Sequence, residues 1–188
     1  MIESDSNNIN TFRSLFKGRE DVFAVRWEKG GKSGYMPAYF YDPYRFRVHK
    51  MNGGSFQNYQ DKSYLKLTEE QIQKHLDGEH HIGVYPLLED NTSWFIVADF
   101  DKKDWQIQAL EFLKLCEKHN IPAYLEKSRS GNGAHVWIFF NQPYPALKSR
   151  KIFFAGLLIF LVFGTMTSSL FSSFQFLYIP IPETELIK

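Results

Sequence analysis

Two aspartates separated by one residue, Asp99 and Asp101, are the clearest candidates for chemistry in the sequence. The segment Val97–Asp101 predicts a β-strand, and successive strand side chains point to opposite faces. Both carboxylates are therefore expected on one face, with Phe100 on the other. Paired carboxylates suit Mg²⁺ or Mn²⁺, and such ions about 3.5–4 Å apart clamp the attacking and leaving oxygens in phosphoryl transfer. Two alternatives stay open: a chance Asp-x-Asp pair, and acids that cap a helix.

A polar, glycine-rich turn is the second candidate site. Residues 128–135 read Ser-Arg-Ser-Gly-Asn-Gly-Ala-His and lead directly into the apolar strand Val136–Phe140. Backbone N–H groups of such a turn can bind an anion. Arg129 adds a charge suited to phosphate, and Ser130 adds a hydroxyl. The alternative is an ordinary hairpin turn at Asn132-Gly133.

His135 is the first polar side chain of the strand that follows this turn. In that place it could contact a phosphate oxygen or organise the metal site. The alternative is a histidine that is half buried at a strand start and has no chemical role.

Hydrophobic periodicity, glycine and proline predict the elements that position these residues. In the first half of the chain the expected elements are a helix over Asn8–Phe16, a strand over Asp21–Trp27, an extended aromatic stretch over Tyr35–Tyr44, a helix over Thr68–Leu76 and a strand over His81–Leu87. Pro37 and Pro43 are expected to exclude helix from the aromatic stretch. Gln71 is expected to complete a capping box with Thr68.

The second half of the chain has the most regular pattern. It predicts a strand over Trp94–Asp101, a helix from Trp105 to about Asn120, and strands over Ala123–Glu126 and Ala134–Phe140. Asp104 is the better candidate for the helix cap, which leaves Asp99 and Asp101 for another role. Strand, helix, strand, strand in this order predicts an α/β or α+β core.

Charge and cysteine content limit the function classes. Lys plus Arg number 22 against 21 Asp plus Glu, so a nucleic-acid contact must come from a local patch. Basic and aromatic residues interleave between Arg19 and Lys50. They could hold a single-stranded template, or they could form a solvated surface beside a tyrosine-rich core. The residues are Arg19, Arg26, Lys32, Arg45, Arg47, His49 and Lys50 with Tyr35, Tyr39, Tyr41, Tyr44 and Phe46. The single cysteine, Cys116, excludes an internal disulfide, is expected to be buried, and fits a reducing cytoplasm. The N-terminus lacks the features of a secretory signal.

The segment 151–188 has a different character, because no charged residue occurs between Lys151 and Glu183. Ile152–Phe163 is almost purely apolar. A buried helix is the favoured interpretation. A transmembrane helix that extends through Phe171 and an altered or truncated terminus are the alternatives.

The ordered motifs resemble those of archaeo-eukaryotic primases, and most closely the primase domain of bacterial TOTE conflict systems. The matching segments are Gly18–Val22 with Arg26-Trp27, Lys32–Tyr35, Ile82–Leu87, Ala98–Asp101 and Ser128–Phe140, within a region from about Leu15 to Arg150. The resemblance implies an α+β primase fold over residues 1–150, with a mixed N-terminal module over about 1–90 and an RRM-like catalytic sheet from about 91. Residues 151–188 would be a truncated or altered continuation.

The resemblance also implies an activity, which is template-directed nucleotidyl transfer with Mg²⁺ or Mn²⁺. The implied partners are a nucleic acid template, nucleoside triphosphates, and helicase and nuclease modules of the same system. In that family the acidic pair holds the metals and the second motif meets the incoming triphosphate. These roles fall here on Asp99 and Asp101 for the metals, and on Ser130 and His135, with Arg129 beside them, for the nucleotide.

The chain departs from the family pattern after the second motif. Such enzymes place a third metal-binding carboxylate on a later strand, but no Asp or Glu occurs here between Glu126 and Glu183, and Gln175 follows where the acid is expected. Glu126 is the only nearby upstream acid that could substitute. The alternative function is therefore a non-catalytic nucleotide-binding or nucleic-acid-binding module of the same fold.

Overall fold

The computed structural model describes residues 2–151, with side chains from residue 6 onward. Its elements are α1 (Ile2–Leu15), β1 (Phe23–Lys29), β2 (Lys32–Pro37), β3 (Tyr39–Tyr41), α2 (Pro43–Met51), β4 (Lys62–Tyr64), α3 (Glu69–Leu76), β5 (Ile82–Val84), β6 (Thr92–Phe100), α4 (Trp105–Lys118), β7 (Tyr124–Lys127) and β8 (Ala134–Pro145). Helices combine with antiparallel sheets, so the predicted α+β class is confirmed. The described chain divides into two compact units, residues 2–13 with 19–85, and residues 14–18 with 86–151.

The first unit contains an antiparallel sheet of order β2-β1-β5 and a separate β3-β4 pair. Gly30 and Gly31 turn β1 into β2, and both have positive φ, which glycine adopts without the steric cost that a side chain would bring. Phe23, Ile72 and Ile82 are buried and form a core cluster with helical residues of the same unit packed against it. Burial of each such side chain contributes about 1.5–3 kcal/mol to the free energy of unfolding.

Helix α2 was not expected from the sequence, and the prediction that Pro43 excludes helix is wrong. Pro43 is the first residue of α2. Proline is well tolerated at that position, because the first turn of a helix has no intrahelical acceptor for its N–H groups. The carboxylate of Asp42 caps this end by accepting hydrogen bonds from the backbone N–H groups of Tyr44 at 2.8 Å and Arg45 at 3.2 Å.

Helix α3 begins where the sequence predicts, but the expected capping box is absent from it. Thr68 is the N-cap residue, yet its side chain makes no cap hydrogen bond. The backbone N–H groups of Gln71 and Ile72 donate to the carbonyl of Thr68 instead. Glu69 and Glu70 in the first turn interact favourably with the positive end of the helix dipole.

The second unit has a sheet of order β6-β8-β7, in which both pairings are antiparallel. Helix α4 covers one face, and its Ala109, Phe112 and Cys116 pack against Phe100 and Val136 of the sheet. The predicted helix stripe and the burial of Cys116 are therefore confirmed. Strand β8 is longer than predicted and extends to Pro145, with a register irregularity at Ser93/Phe95 in its pairing with β6.

The other face of this sheet has an aromatic cluster at one end. Phe16 packs edge-on against Phe95, Trp137 and Phe139, with ring centroids 6.1, 5.1 and 5.8 Å from its own. The rings of Trp137 and Phe139 are nearly parallel, 6.2 Å apart. Offset and edge-to-face contacts of this kind each add about 0.5–1.5 kcal/mol beyond area burial. They fix the part of β8 that leads into the candidate site.

In the part of the chain that the structure describes, no helix has the length and apolar character needed to cross a membrane. The expectations for the segment after Lys151 concern a buried helix, a transmembrane helix or an altered terminus. They fall outside the described residues.

Candidate active site

Three polar residues form a row across the sheet of the second unit. Asp99 on β6 pairs with His135 on β8, and His135 pairs in turn with Glu126 on β7. Residues directly opposite on antiparallel strands share a face. The row therefore places an imidazole on the central strand between two carboxylates, on the face that α4 does not cover.

Asp99 is the more enclosed of the two predicted metal ligands, with 20% of its side chain exposed. Burial raises its pKa, and the nearby charge of Asp101 raises it further, while His135 and Lys102 act in the opposite direction. The contribution of Asp101 means that the two carboxylates are close enough to repel each other.

Asp101 lies just beyond the end of β6 and is more open, with 46% of its side chain exposed. The Nζ atom of Lys102 lies 3.6 Å from its Oδ1 atom. An exposed ion pair of this kind is worth little, about 0–1 kcal/mol, so a stronger ligand could replace it. Lys102 was not singled out in the sequence, although it directly follows the acidic pair.

His135 has contacts on both sides. Its Nε2 atom lies 3.7 Å from Oδ1 of Asp99, and its Nδ1 atom lies 3.3 Å from Oε2 of Glu126. The indole Nε1–H of Trp137 donates to the same Glu126 oxygen at 2.7 Å. The hydrogen bond to Glu126 raises the pKa of His135, and the same bond lowers the pKa of Glu126. The histidine is indeed half buried, but it is also bound into a polar network.

The glycine-rich loop between β7 and β8 is held together by its own hydrogen bonds. The N–H of Ser128 donates to the carbonyl of Gly133 at 2.9 Å, and the N–H of Gly131 donates to Ser128 at 2.9 Å. The N–H of Asn132 donates to Oγ of Ser130 at 3.3 Å. Gly131, with φ +76°, makes the left-handed turn, so the hairpin turns there and not at Asn132-Gly133.

Gly133 brings this loop against the end of β6. A Cβ atom on Gly133 would lie 2.7 Å from the backbone oxygen of Phe100 and 3.5 Å from Cα of Asp101. Only a residue without a side chain permits so close an approach. The structure therefore brings the two predicted motifs together, with Arg129 and Ser130 on the exposed part of the loop.

Sequence reasoning missed the link from Trp137 through Glu126 to His135. The signal was present in the hairpin, because residues 126 and 135 are equally distant from its turn and therefore pair. What the sequence could not supply was which hydrogen bonds the paired side chains make.

The interleaved basic and aromatic residues of the first unit are divided by the structure into two groups. Arg19 pairs with Asp21, and Arg26 donates to Glu28, so these two contribute to local ion pairs. Several of the aromatic rings pack together in one cluster, Tyr39, Tyr41 and Phe46 around Phe56. The exposed members lie on helix α2, which carries Tyr44, Arg45, Arg47 and Lys50, and on strand β2, which carries Lys32 and Tyr35.

The α+β architecture and its antiparallel sheets are consistent with the archaeo-eukaryotic primase fold. Residues 7–177 match the family described as the archaeo-eukaryotic primase domain of TOTE conflict systems, and the chain belongs to this family. The match includes residues 151–177, most of the segment in which no charged residue follows Lys151 until Glu183. No curated protein matches the chain. Membership suggests primase-like nucleotidyl transfer in a conflict system, which implies interaction with nucleic acid and nucleoside triphosphates.

Primase domains of this type generally use divalent metals, and the donor atoms at Asp99 and Asp101 fit one such ion. Both groups offer hard carboxylate oxygens, and their mutual repulsion would be relieved by a cation. Mg²⁺ commonly takes one or two protein carboxylates and completes its coordination with water and phosphate oxygens.

Glu126 does not supply a third ligand to this pair. Among the residues that the structure describes, no group of three or more His, Cys, Asp or Glu side chains is placed to hold a metal ion. The reason is the strand order, since β8 separates Glu126 from Asp99. Two strand spacings put their backbones about 10 Å apart. The expectation that Glu126 could substitute for the third metal-binding carboxylate is therefore wrong for the described residues.

Proposed function

We propose that this domain catalyses template-directed nucleotidyl transfer of the DNA or RNA primase-polymerase type, as part of a bacterial conflict or defence system. The observation that carries the proposal is the pairing of Asp99 with His135, with Gly133 against the end of β6. The acidic pair then lies beside the imidazole of His135 on β8 and the loop that carries the hydroxyl of Ser130 and the guanidinium of Arg129, groups that can bind a triphosphate.

Each polar residue then has a role. Asp99 and Asp101 hold Mg²⁺ or Mn²⁺, which would neutralise charge on the triphosphate and on the attacking and leaving oxygens. Arg129 and Ser130 bind phosphate oxygens at the open side of the loop. His135 presents Nε2 on the Asp99 side of the ring. Because Nδ1–H is donated to Glu126, Nε2 can donate only in the imidazolium form, which the raised pKa of His135 favours, and in that form it would stabilise negative charge that develops during transfer.

A template is proposed to contact helix α2 in the first unit. Arg45, Arg47 and Lys50 are exposed there, and Tyr44 has 73% of its surface exposed. Basic side chains bind phosphates, and exposed aromatic rings can stack on unpaired bases.

We further propose that residues 1–150 act as one primase-polymerase domain, with the N-terminal module over about 1–90 and the catalytic sheet beyond it. This domain would work in the cytoplasm with helicase and nuclease modules.

A second candidate function is nucleotide or nucleic-acid binding without efficient catalysis. The observation that favours it is the acid count, because the sequence has no Asp or Glu between Glu126 and Glu183. Two carboxylates supply only part of the charge that two divalent ions require. Loss of an interaction that is formed mainly in the transition state lowers turnover more than binding. The domain would then bind nucleotide and extend a primer slowly.

Primer extension with Mn²⁺ tests the proposal. The purified chain is given a primed DNA or RNA template and nucleoside triphosphates, and the Asp99→Asn, Asp101→Asn double variant serves as the blank. Extension above the blank supports catalysis, and its rate distinguishes a full from an impaired enzyme. Nucleotide binding with extension equal to the blank would leave the binding module as the function and refute catalysis.

A further inference from the structure

One oxygen of Glu126 accepts hydrogen bonds from two side chains of the neighbouring strand. Oε2 lies 2.7 Å from Nε1 of Trp137 and 3.3 Å from Nδ1 of His135. An indole N–H can only donate, and an ionised carboxylate can only accept. The Nδ1 atom of His135 must therefore carry the hydrogen of its bond to Glu126. Nδ1 of His135 therefore faces Glu126 on β7, and Nε2 faces Asp99 on β6.

The hydrogen bond also fixes the orientation of the imidazole. Rotation about the last side-chain bond of histidine has broad, roughly two-fold preferences, so an unrestrained ring can turn over and exchange its nitrogen and carbon positions. A carboxylate that accepts from Nδ1 selects one orientation, as carboxylates do for histidines in metal sites. Here the selected orientation places Nε2 3.7 Å from Oδ1 of Asp99.

Trp137 in turn holds Glu126. Its ring packs edge-on against Phe16, with centroids 5.1 Å apart, and lies parallel to Phe139. An indole held on two sides presents its N–H in a fixed direction. The side chain of Glu126 is 54% exposed, and the bond from Trp137 is the shorter of the two hydrogen bonds that hold its carboxylate.

We propose that Glu126 is a positioning residue, which through its bonds to Trp137 and His135 holds the His135 imidazole with Nε2 on the Asp99 side, where the triphosphate would bind beside the acidic pair. The inference rests on the proposed function in one respect, which is that the group contacted by Nε2 belongs to a bound nucleotide. Glu126 itself is separated from Asp99 by strand β8. Its removal would weaken nucleotide binding by releasing the ring.

The first test is spectroscopic and needs no activity. In ¹⁵N-labelled protein at one fixed pH, the Nδ1-bound proton of His135 is expected as a downfield resonance that exchanges slowly with water. The Nε1 proton of Trp137 is expected to be shifted by its bond to the carboxylate. Glu126→Ala should abolish the first resonance and move the second. Glu126→Gln should retain part of both, since an amide oxygen still accepts a hydrogen bond.

The second test measures the affinity for ATP with Mg²⁺ by calorimetry. Glu126→Ala is expected to lower the affinity by about tenfold, as is usual for outer partners of a functional histidine, and Glu126→Gln by less. Glu117→Gln is the matched control, because Glu117 is an exposed acid on α4 and should leave both the affinity and the His135 resonance unchanged. Thermal unfolding of each variant checks that it is folded. If Glu126→Ala does not fold, Glu126→Gln is used for the same measurements.

The outcomes separate this inference from the proposed function. An unchanged His135 resonance in Glu126→Ala overturns the positioning role, whatever the affinity. A changed resonance with wild-type affinity also overturns it, because the orientation of the ring would then not matter. If the wild-type chain binds no nucleotide while the resonance responds as expected, the proposed function fails and the positioning of the ring by Glu126 is supported.

Discussion

Asp99 and His135 lie directly opposite each other on antiparallel strands β6 and β8, with Oδ1 and Nε2 3.7 Å apart. This pairing joins the acidic motif to the strand that follows the glycine-rich loop. Neither motif alone distinguishes a chemical site from a chance pattern. Their pairing across one sheet places a candidate metal site next to a candidate phosphate site, and the predictions below follow from that arrangement.

Replacement of both aspartates should abolish binding of a divalent ion. Asp99→Asn, Asp101→Asn removes the two charges that repel each other in the free protein while preserving side-chain size. Mn²⁺ binding measured by water-proton relaxation is expected to fall to background. Asp104→Asn is the control, because Asp104 is a nearby acid at the N-cap position of α4 whose side chain makes no cap hydrogen bond, contrary to the expected cap, so the change removes one charge outside the proposed pair. Unchanged Mn²⁺ binding in the double variant would contradict the assignment.

Two substitutions in the loop motif should weaken nucleotide binding. Ser130→Ala and His135→Ala each remove a hydrogen-bonding group directed to a charged phosphate, which is worth about 1–3 kcal/mol. The dissociation constant for ATP with Mg²⁺ is therefore expected to rise by about 5-fold to 150-fold in each variant. Ser63→Ala on β4 removes an exposed hydroxyl elsewhere and should have no effect. Equal affinities for the wild type and both loop variants would exclude this site.

Gly133→Ala should destabilise the domain even though it adds one methyl group. That group would meet the backbone oxygen of Phe100 at 2.7 Å, so the loop or the end of β6 must move. The expected loss in the free energy of unfolding is about 1–3 kcal/mol, as for other overpacked sites. Urea denaturation gives the value, with Asn132→Ala as an exposed neighbour expected to change stability by less than about 0.5 kcal/mol. A full-stability Gly133→Ala variant would show that the loop does not pack as described.

Cys116 should resist alkylation while the protein is folded. The thiol is buried under the sheet of the second unit, and burial raises its pKa to about 11. At pH 8 only about a thousandth of the thiol would then be thiolate, the reactive form. Iodoacetamide labelling followed by mass spectrometry is expected to be slow in buffer and fast in urea. Rapid labelling of the native chain would contradict the burial of α4 against the sheet.

The sequence alone was sufficient for the elements with strong periodicity. The stripe from Trp105 to Cys116 predicted α4, and the apolar run before the acidic pair predicted β6. That Asp99 and Asp101 share a face stays a prediction, because β6 ends at Phe100. Such a pattern determines whether a segment is a helix or a strand, because the segment must bury its apolar face whatever surrounds it in the α+β fold. The motif order also predicted the family to which the chain belongs.

The sequence pattern failed at the starts of two helices, where the presence or absence of one side-chain hydrogen bond decided the outcome. The sequence predicts no helix at Pro43, but Asp42 supplies the cap and Pro43 is the first residue of α2. Thr68 and Gln71 have the right spacing for a capping box, yet the side chain of Thr68 makes no cap bond. Such bonds compete closely with water, so their presence is not determined by residue type.

The residue types that could do chemistry, Asp99, Asp101, Ser130 and His135, were determined by the sequence itself. Only the tertiary structure decided their arrangement. The order β6-β8-β7 puts His135 between Asp99 and Glu126, and thereby makes Glu126 a partner of the histidine and not of the acidic pair. The physical reason is that strand order depends on long-range hydrogen bonding and on burial against α4, and neither is encoded in the spacing of a motif.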